Sequence, residues 1–226
     1  MIPCAPVQWR LPPPDPPQQA AAPAPASAPG YAASLKPSRA GWITLPRWCV
    51  WVEPGGDDRW SRRWSQAVEG ALTEWGDHIK IERVESAEDA HLRLWRRRPP
   101  LRDGRASNGR AYLRLQQVLR EDYSNPMLEP QVEVLLSPGL RREVLQSTAL
   151  HELGHGFGLW GHSSENGDVM ATSQGSAPPL KLSPRDQQTL QWLLRQPSAV
   201  PRALPEQKSA QKEKPASAPP SAQKAD

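Results

Sequence analysis

The sequence has little of what would place it in several large classes of protein. Among its 226 residues there are only two cysteines, one phenylalanine and five histidines. No apolar run reaches the roughly 18 residues that a transmembrane helix needs, which argues against an integral membrane protein. Cys4 and Cys49 are too few for the disulfide framework of a small secreted scaffold. The 28 basic and 24 acidic residues give a net charge of +4, which excludes a strongly acidic or a histone-like chain.

Proline is concentrated at the two ends of the chain. Twelve of the 27 prolines lie in residues 1–46 and six lie in residues 197–226. Both segments are rich in Pro, Ala, Ser and Gln, so we expect 1–46 to be disordered or a pro-segment and 197–226 to be a disordered tail. The first residues lack a basic stretch followed by an apolar one, and no signal peptide is expected there. Residues 47–196 are enough for one domain with a hydrophobic core.

The middle segment alternates between patterns typical of strands and of helices. Short runs rich in β-formers or in alternating apolar residues predict five strands, at residues 47–53, 79–84, 90–95, 111–115 and 131–136. Helical spacing of apolar residues predicts helices over 60–75 and 140–157, and a capping box at Ser183 predicts the start of a third. The order β-α-β-β-β-β-α-α predicts an α+β domain with about five strands and three main helices.

A group of histidines in the second predicted helix is the main chemical signal. His151 and His155 are separated by one turn of a helix, so their imidazoles share a face and can bind one metal ion. Glu152 lies beside them, where a carboxylate can act as a general base. Composition alone would produce this His-Glu-x-x-His pattern about 0.007 times in a chain of this length, so chance is a poor explanation.

The residues that follow extend the predicted metal site. Gly158 comes where the helix should end, and a glycine there can adopt the left-handed conformation that turns the chain back. The turn would return His162 to the metal as a third ligand. Three neutral imidazoles leave zinc an open coordination position, as in catalytic zinc sites. Alternatively, His162 is an ordinary loop residue and Glu165 or Asp168 completes the site.

With these residues, the sequence resembles the metzincin zinc peptidases and, among them, the matrixin-type group. The metzincin signature is His-Glu-x-x-His-x-x-Gly-x-x-His, whereas this chain has one additional residue between Gly158 and His162. Met170, which follows His162 in the run DVMATSQ, matches the methionine turn that lies beneath the zinc ligands of matrixins. The resemblance implies a zincin-like catalytic domain with a twisted, mixed and mostly parallel sheet.

The same resemblance implies a function. A zinc-dependent endopeptidase would hydrolyse peptide bonds with a zinc-activated water and with Glu152 as the general base. One catalytic Zn²⁺ is expected, and Ca²⁺ is a further candidate ion that the sequence does not specify. The expected partner is a protein or peptide that pairs with the strand at 111–115, and the expected state is a monomer without specific nucleic-acid binding. Family members act mostly outside the cytoplasm, which favours a secreted or periplasmic location.

Two other functions stay open at the level of sequence. The chain could be a catalytically silent zinc-binding interaction domain, although Glu152 would have no purpose in a purely structural site. It could also be an adaptor for anionic polymers, because an arginine-rich stretch comprises Arg93, Arg96, Arg97, Arg98, Arg102, Arg105, Arg110 and Arg114. No nucleic-acid-binding motif accompanies these arginines, so a solvated rim is the simpler interpretation and a preference for acidic substrates is the next.

Overall fold

The computed structural model describes residues 4–13, 21–173 and 177–204 of the chain. The strands of this part are β1 (Val7–Leu11), β2 (Trp48–Val52), β3 (Ile81–Arg83), β4 (Leu92–Trp95), β5 (Gly109–Arg120), β6 (Met127–Leu136) and β7 (Arg202–Ala203). The helices are α1 (Arg59–Gly76), α2 (Arg142–Gly156) and α3 (Pro184–Leu194). The α+β class and the three helices are therefore confirmed, as is the capping box at Ser183.

All seven strands belong to one mixed sheet. Its order is β1-β5-β6-β4-β2-β3, and β7 pairs with β6. β2 is parallel to both β3 and β4, and β4 is parallel to β6. β5 is antiparallel to β6 and to β1, and β7 is antiparallel to β6. Only β5 and β7 therefore run against the common direction, which confirms a mixed and mostly parallel sheet. The five predicted strands are all present, and β1 and β7 are additional.

The second helix is enclosed by the rest of the domain. It packs against α1, β5 and β6. Its apolar residues Leu145, Leu150 and Leu153 have no solvent-exposed surface, because the helix lies under the sheet and beside α1. The Trp75 indole of α1 donates a hydrogen bond to the Leu150 carbonyl at 3.0 Å, so the two helices are also joined by a polar contact. Helix α2 is thus held rigidly, which suits an element that supplies functional side chains.

Strand β5 is longer than the predicted run at 111–115, and only part of it lies at an edge. Residues 117–120 pair with β1, whereas residues 109–116 have β6 as their one strand neighbour in the described part of the chain. An extended peptide could therefore still pair with the first part of β5. β1 itself comes from a segment that the sequence analysis did not assign to the sheet.

Most of residues 1–46, for which disorder or a pro-segment was predicted, packs onto the domain in the structure. Residues 21–46 contact the main core, and Tyr31, Leu35 and Trp42 are buried there. Their many Pro and Ser neighbours lower the mean hydropathy of the segment, but a few large side chains suffice to bury it. Residues 1–3 and 14–20, for which disorder was also predicted, lie outside the described residues.

The C-terminal segment differs from its prediction in the same way. Residues 197–204 follow the domain and include β7, although disorder was predicted from residue 197 onward. Residues 205–226 lie outside the part of the chain that the structure describes. None of the described helices has the length and apolar character required to cross a lipid bilayer.

The two cysteines form a disulfide bond, a pairing that the sequence analysis did not anticipate. Cys4 lies just before β1 and Cys49 lies in β2, and their Cα atoms are 5.6 Å apart. The bond attaches the N-terminal segment to β2, the strand next to the β3 edge of the sheet, across a sequence separation of 45 residues.

Removing this disulfide should destabilise the domain. For a loop of this length, the chain-entropy model predicts that a Cys4→Ser/Cys49→Ser double variant loses about 4 kcal/mol of unfolding free energy. Urea denaturation of both proteins measures the difference. The wild type under reducing conditions is the control and should unfold like the double variant. Equal midpoints for oxidised wild type and variant would contradict the prediction.

Candidate metal centre

Three histidines converge at the end of α2. His151 and His155 lie on the helix and His162 lies on the loop that follows it. One potential ligand nitrogen from each ring falls within 4.8 Å of the other two. The ring centroids are 4.9 to 5.3 Å apart. This spacing fits three imidazoles around one transition-metal ion.

Hydrogen bonds on the far side of two rings orient them toward the shared centre. Nδ1 of His151 lies 2.9 Å from the carbonyl oxygen of Val169, and Nδ1 of His155 lies 2.8 Å from that of Leu159. A carbonyl oxygen only accepts, so each Nδ1 donates its hydrogen and leaves the Nε2 lone pair available. Burial, together with the neighbouring His151, lowers the pKa of His155 to about 3. Burial also lowers the pKa of His151, so both imidazoles are neutral, as metal ligation requires.

The turn after α2 depends on Gly158. Its φ is +112°, in the region that favours glycine, and an added Cβ would lie 2.4 Å from the Ile43 carbonyl oxygen. The sequence analysis predicted a glycine turn here, and the turn is present. It directs the chain back so that His162 faces the other two histidines, even though the loop is one residue longer than the metzincin signature.

A second segment, residues 34–38, secures that loop from outside and is called the strap below. Ser34 Oγ donates to the His162 carbonyl at 2.7 Å, and the Lys36 amide donates to the Trp160 carbonyl at 2.9 Å. Gly161 lies so close that an added Cβ would be 2.5 Å from the Ser34 carbonyl oxygen. The strap therefore fixes the position of His162, although it comes from residues for which disorder was predicted.

Met170 lies directly against α2. It has no exposed surface, and a Cβ added to Gly154 would be 2.3 Å from the Met170 sulfur, so the methionine occupies the space that this glycine leaves. Asp186 of α3 holds the turn, since its carboxylate accepts from the Val169 amide at 2.8 Å and from the Tyr31 hydroxyl at 2.6 Å. Because the Val169 carbonyl contacts His151, Asp186 is indirectly a positioning residue for the histidines.

Glu152 is a buried carboxylate beside the histidine cluster. It is 8% exposed, and the Ala111 amide of β5 donates a hydrogen bond to its carboxylate. Burial raises the pKa of Glu152 to about 7, against the opposing effects of the Ala111 amide and the Arg110 charge. Close approach of β5 is possible because Gly109 has no side chain, and a Cβ there would lie 2.6 Å from Glu152 Cγ. The carboxylate is thus held between helix and strand.

Two cavities meet at His151 and Glu152. The first, of about 650 Å³, lies toward the start of α2, and its walls include Thr148, Thr172 and Pro178. The second, of about 930 Å³, lies toward the end of α2 and is bounded by β5 residues 109–113 and by the strap. Together they form a cleft along the free part of β5, with the histidines at its floor.

The alternative ligands do not join this cluster. Asp168 accepts hydrogen bonds from Ser163, Ser183 and Arg185 and is not part of the cluster of possible metal ligands. Glu165 is exposed on the loop. Within the described residues, the group of side chains suited to a metal ion consists of His151, His155 and His162.

Sequence reasoning missed three contributors to this site. The Ala111 amide is a backbone group, which no side-chain pattern can reveal. The strap could have been suspected from Tyr31, Leu35 and Trp42, since large apolar residues at such spacing are unusual in a disordered segment. Asp186 was identified as part of a helix cap, but its bond to the methionine turn depends on tertiary packing.

Comparison with known proteins adds no assignment. No protein-family model matches the chain, and no curated protein matches it at a significant level.

Proposed function

We propose that this protein is a zinc-dependent endopeptidase with a zincin-like domain of the metzincin type. One observation supports it above all: three imidazoles converge at the floor of a cleft, and a buried carboxylate lies next to them. A purely structural zinc site has four protein ligands, whereas this cluster offers three and opens into the cleft. Its donor set suits Zn²⁺, because borderline-soft nitrogen ligands in a three-histidine arrangement favour that ion.

The chemistry divides between the ion and the residues of the chain. A zinc ion bound by His151, His155 and His162 would lower the pKa of a water molecule and polarise a peptide carbonyl. Glu152, which lines the same cleft, would accept the proton of the attacking water and later donate it to the departing amine. The Ala111 hydrogen bond holds its carboxylate in place during both transfers.

The substrate would be an extended peptide that adds to β5. Residues 109–116 have β6 as their one strand neighbour in the described part of the chain, so an added strand could pair along their other edge, where the Ala111 amide already bonds Glu152. This mode of binding depends little on side chains, which suits an enzyme that acts on proteins. The walls of the first cavity, including Thr172 and Pro178, would contact a side chain next to the cleaved bond.

The disulfide supports a location outside reducing compartments. A Cys4–Cys49 bond persists where glutathione and thioredoxin do not keep thiols reduced, as in secreted and periplasmic proteins. The proposed site of action is therefore extracytoplasmic, in agreement with the resemblance described above.

Metal removal tests the proposed function. The full-length protein should bind about one zinc ion per chain, as measured by inductively coupled plasma mass spectrometry. It should also cleave denatured casein. A chelator should abolish cleavage, and added Zn²⁺ should restore it. Cleavage that survives complete metal removal would contradict the proposal. Zinc retained at one ion per chain without any cleavage would favour the silent interaction domain instead.

A further inference from the structure

The second cavity is lined by three basic side chains from three different parts of the chain. Lys36 belongs to the strap, Arg102 to the loop between β4 and β5, and Arg110 to β5 itself. The one carboxylate in this wall is Glu152, which lies at the floor beside the histidines. The cavity therefore carries an excess of positive charge.

None of these three residues forms a salt bridge within the described part of the chain, although the Arg110 charge acts on the Glu152 carboxylate. The Arg110 guanidinium donates to uncharged oxygens, of Pro100 at 3.1 Å and of Ser107 at 3.2 Å. Like charges along a cleft with low-dielectric walls add up to a positive potential inside it. The single carboxylate of Glu152 offsets only part of the charge of three cations, so the rest of the positive potential can act on a ligand.

The first cavity differs in this respect. Its charged lining residues, apart from Glu152, are Arg141 and Glu143, which have opposite signs. The excess of positive charge is therefore confined to one end of the cleft, and the effect on a bound peptide depends on the direction in which that peptide lies.

An added strand should run antiparallel to β5. Antiparallel pairs are slightly more stable per residue than parallel pairs, and β5 already pairs in this way with β6 and β1. β5 runs from Gly109, which borders both cavities, to Leu113 in the basic one. A peptide in the opposite direction enters at the basic cavity and leaves through the first one. Residues on the N-terminal side of the scissile bond then lie between Lys36, Arg102 and Arg110.

We propose that the cleft selects peptides with acidic side chains on the N-terminal side of the cleaved bond. This inference rests on the proposed endopeptidase function and names its substrate class. A glutamate in that region gains attraction from the unpaired cations, whereas a lysine meets repulsion from the same groups. The arginine-rich stretch of the sequence thus contributes to substrate selection through Arg102 and Arg110.

Three matched peptides test the inference. They carry a fluorophore and a quencher and differ only in having Glu, Gln or Lys at the second to fourth positions before the cleaved bond. The wild type should cleave the Glu peptide with a kcat/KM about fivefold above that of the Gln peptide, and the Lys peptide should be poorest. In a Lys36→Gln/Arg102→Gln variant, the ratio of kcat/KM for the Glu and Gln peptides should fall to about twofold or less. Salt at about 0.5 M should reduce the ratio of the wild type in the same way, because it screens the charges. Arg59→Gln is the control, because Arg59 is exposed and lines neither cavity. This variant should keep the full preference for the Glu peptide.

A binding measurement separates failure of this inference from failure of the proposed function. The same peptides are titrated into the zinc-loaded Glu152→Gln protein, and their dissociation constants are determined by fluorescence anisotropy. Tighter binding of the Glu peptide that disappears in the added Lys36→Gln/Arg102→Gln background supports the charge preference even if the wild type cleaves nothing. Equal binding and equal cleavage of all three peptides would overturn it and leave the endopeptidase assignment intact. A preference unchanged in the double variant would overturn it as well.

Discussion

Replacing Glu152 with glutamine is expected to lower kcat for peptide cleavage by about 10²–10⁴-fold while zinc stays bound. Glutamine has nearly the same shape and can still contact the Ala111 amide, but it cannot accept a proton. The three histidines are unchanged, so metal affinity and fold should be preserved. Initial rates on a fluorogenic peptide measure the loss of kcat. The zinc content tests metal binding, and the circular dichroism spectrum tests the fold.

Glu165→Gln is the matched control. Glu165 is an exposed carboxylate on the loop that carries His162, and it was the alternative ligand at the level of sequence. Its substitution should leave both the rate and the zinc content within about twofold of the wild type. Equal losses in the two variants would indicate a nonspecific effect of charge near the site. Full activity of Glu152→Gln would show that another group acts as the base.

Replacing Glu129 with glutamine is expected to destabilise the protein by about 3–5 kcal/mol, because it leaves the Arg120 charge buried without its partner. Both side chains are 1% exposed, and their closest nitrogen and oxygen atoms are 2.9 Å apart. The Arg120 guanidinium also donates to the Ala5 carbonyl at 2.7 Å, which connects this ion pair to the N-terminal segment. Loss of the pair should therefore loosen β1 and its attachment to β5.

His91 completes this buried cluster. Its Nδ1 accepts from the Cys49 amide at 3.1 Å, so the hydrogen is on Nε2, which lies 3.3 Å from the Glu129 carboxylate. Burial opposes ionisation of Glu129, but hydrogen bonds from His91 and Arg120 outweigh it and lower the pKa of Glu129 to about 2. Burial lowers the pKa of His91 below its ordinary value of 6.5 despite the nearby carboxylate.

These shifts determine how stability depends on pH. When a group has a lower pKa in the folded protein than in the unfolded chain, the unfolded chain binds more protons than the folded protein as the pH falls, and stability decreases. The stability that neutral, buried His91 contributes is fully present above pH 6.5 and is lost as the pH falls below this value. The Glu129 contribution is present above pH 4.5 and is lost as the pH falls toward 2. Tyr123 and Arg10 face the same cluster, but they keep their protonation states in this range.

Urea denaturation at a series of pH values measures both effects. The wild type should lose stability progressively from pH 6.5 downward, whereas the loss below pH 4.5 should be shallower in Glu129→Gln, because the Glu129 share of it is absent. Glu82→Gln is the control, because Glu82 pairs with Arg47 at the surface and its loss should cost less than about 1 kcal/mol. Equal destabilisation by the two variants, or identical pH slopes for Glu129→Gln and wild type, would contradict the expectation.

The secondary structure of the middle segment could be predicted because its signals are local. The apolar side chains of α1, among them Trp64, Val68 and Trp75, recur with the period of a helix and are buried, except for Trp60 in the first turn, which is 50% exposed. The same reasoning placed His151, Glu152 and His155 together, since neighbours along one helix stay neighbours in any fold. Their roles in catalysis are a proposal that the experiments above address.

The order of the strands and the identity of their partners could not be predicted in this way. The segment before residue 47 has the average composition of a disordered chain, yet β1 completes the sheet and the strap holds the loop of His162. Cys4 and Cys49 are far apart in sequence, and only the position of β1 beside the sheet brings them within bonding distance. The cluster of His91, Arg120 and Glu129 likewise joins three strands or their flanking residues.

The sequence by itself therefore determined the helices, most of the strands and a pair of histidines with a glutamate between them, because these depend on spacing within one element. Tertiary structure alone decided that His162 faces that pair, that Ala111 contacts Glu152 and that three cations face one end of the cleft. Such contacts join residues that are distant along the chain. Their free energy comes from burial and hydrogen bonds that exist only after the sheet and helices have packed.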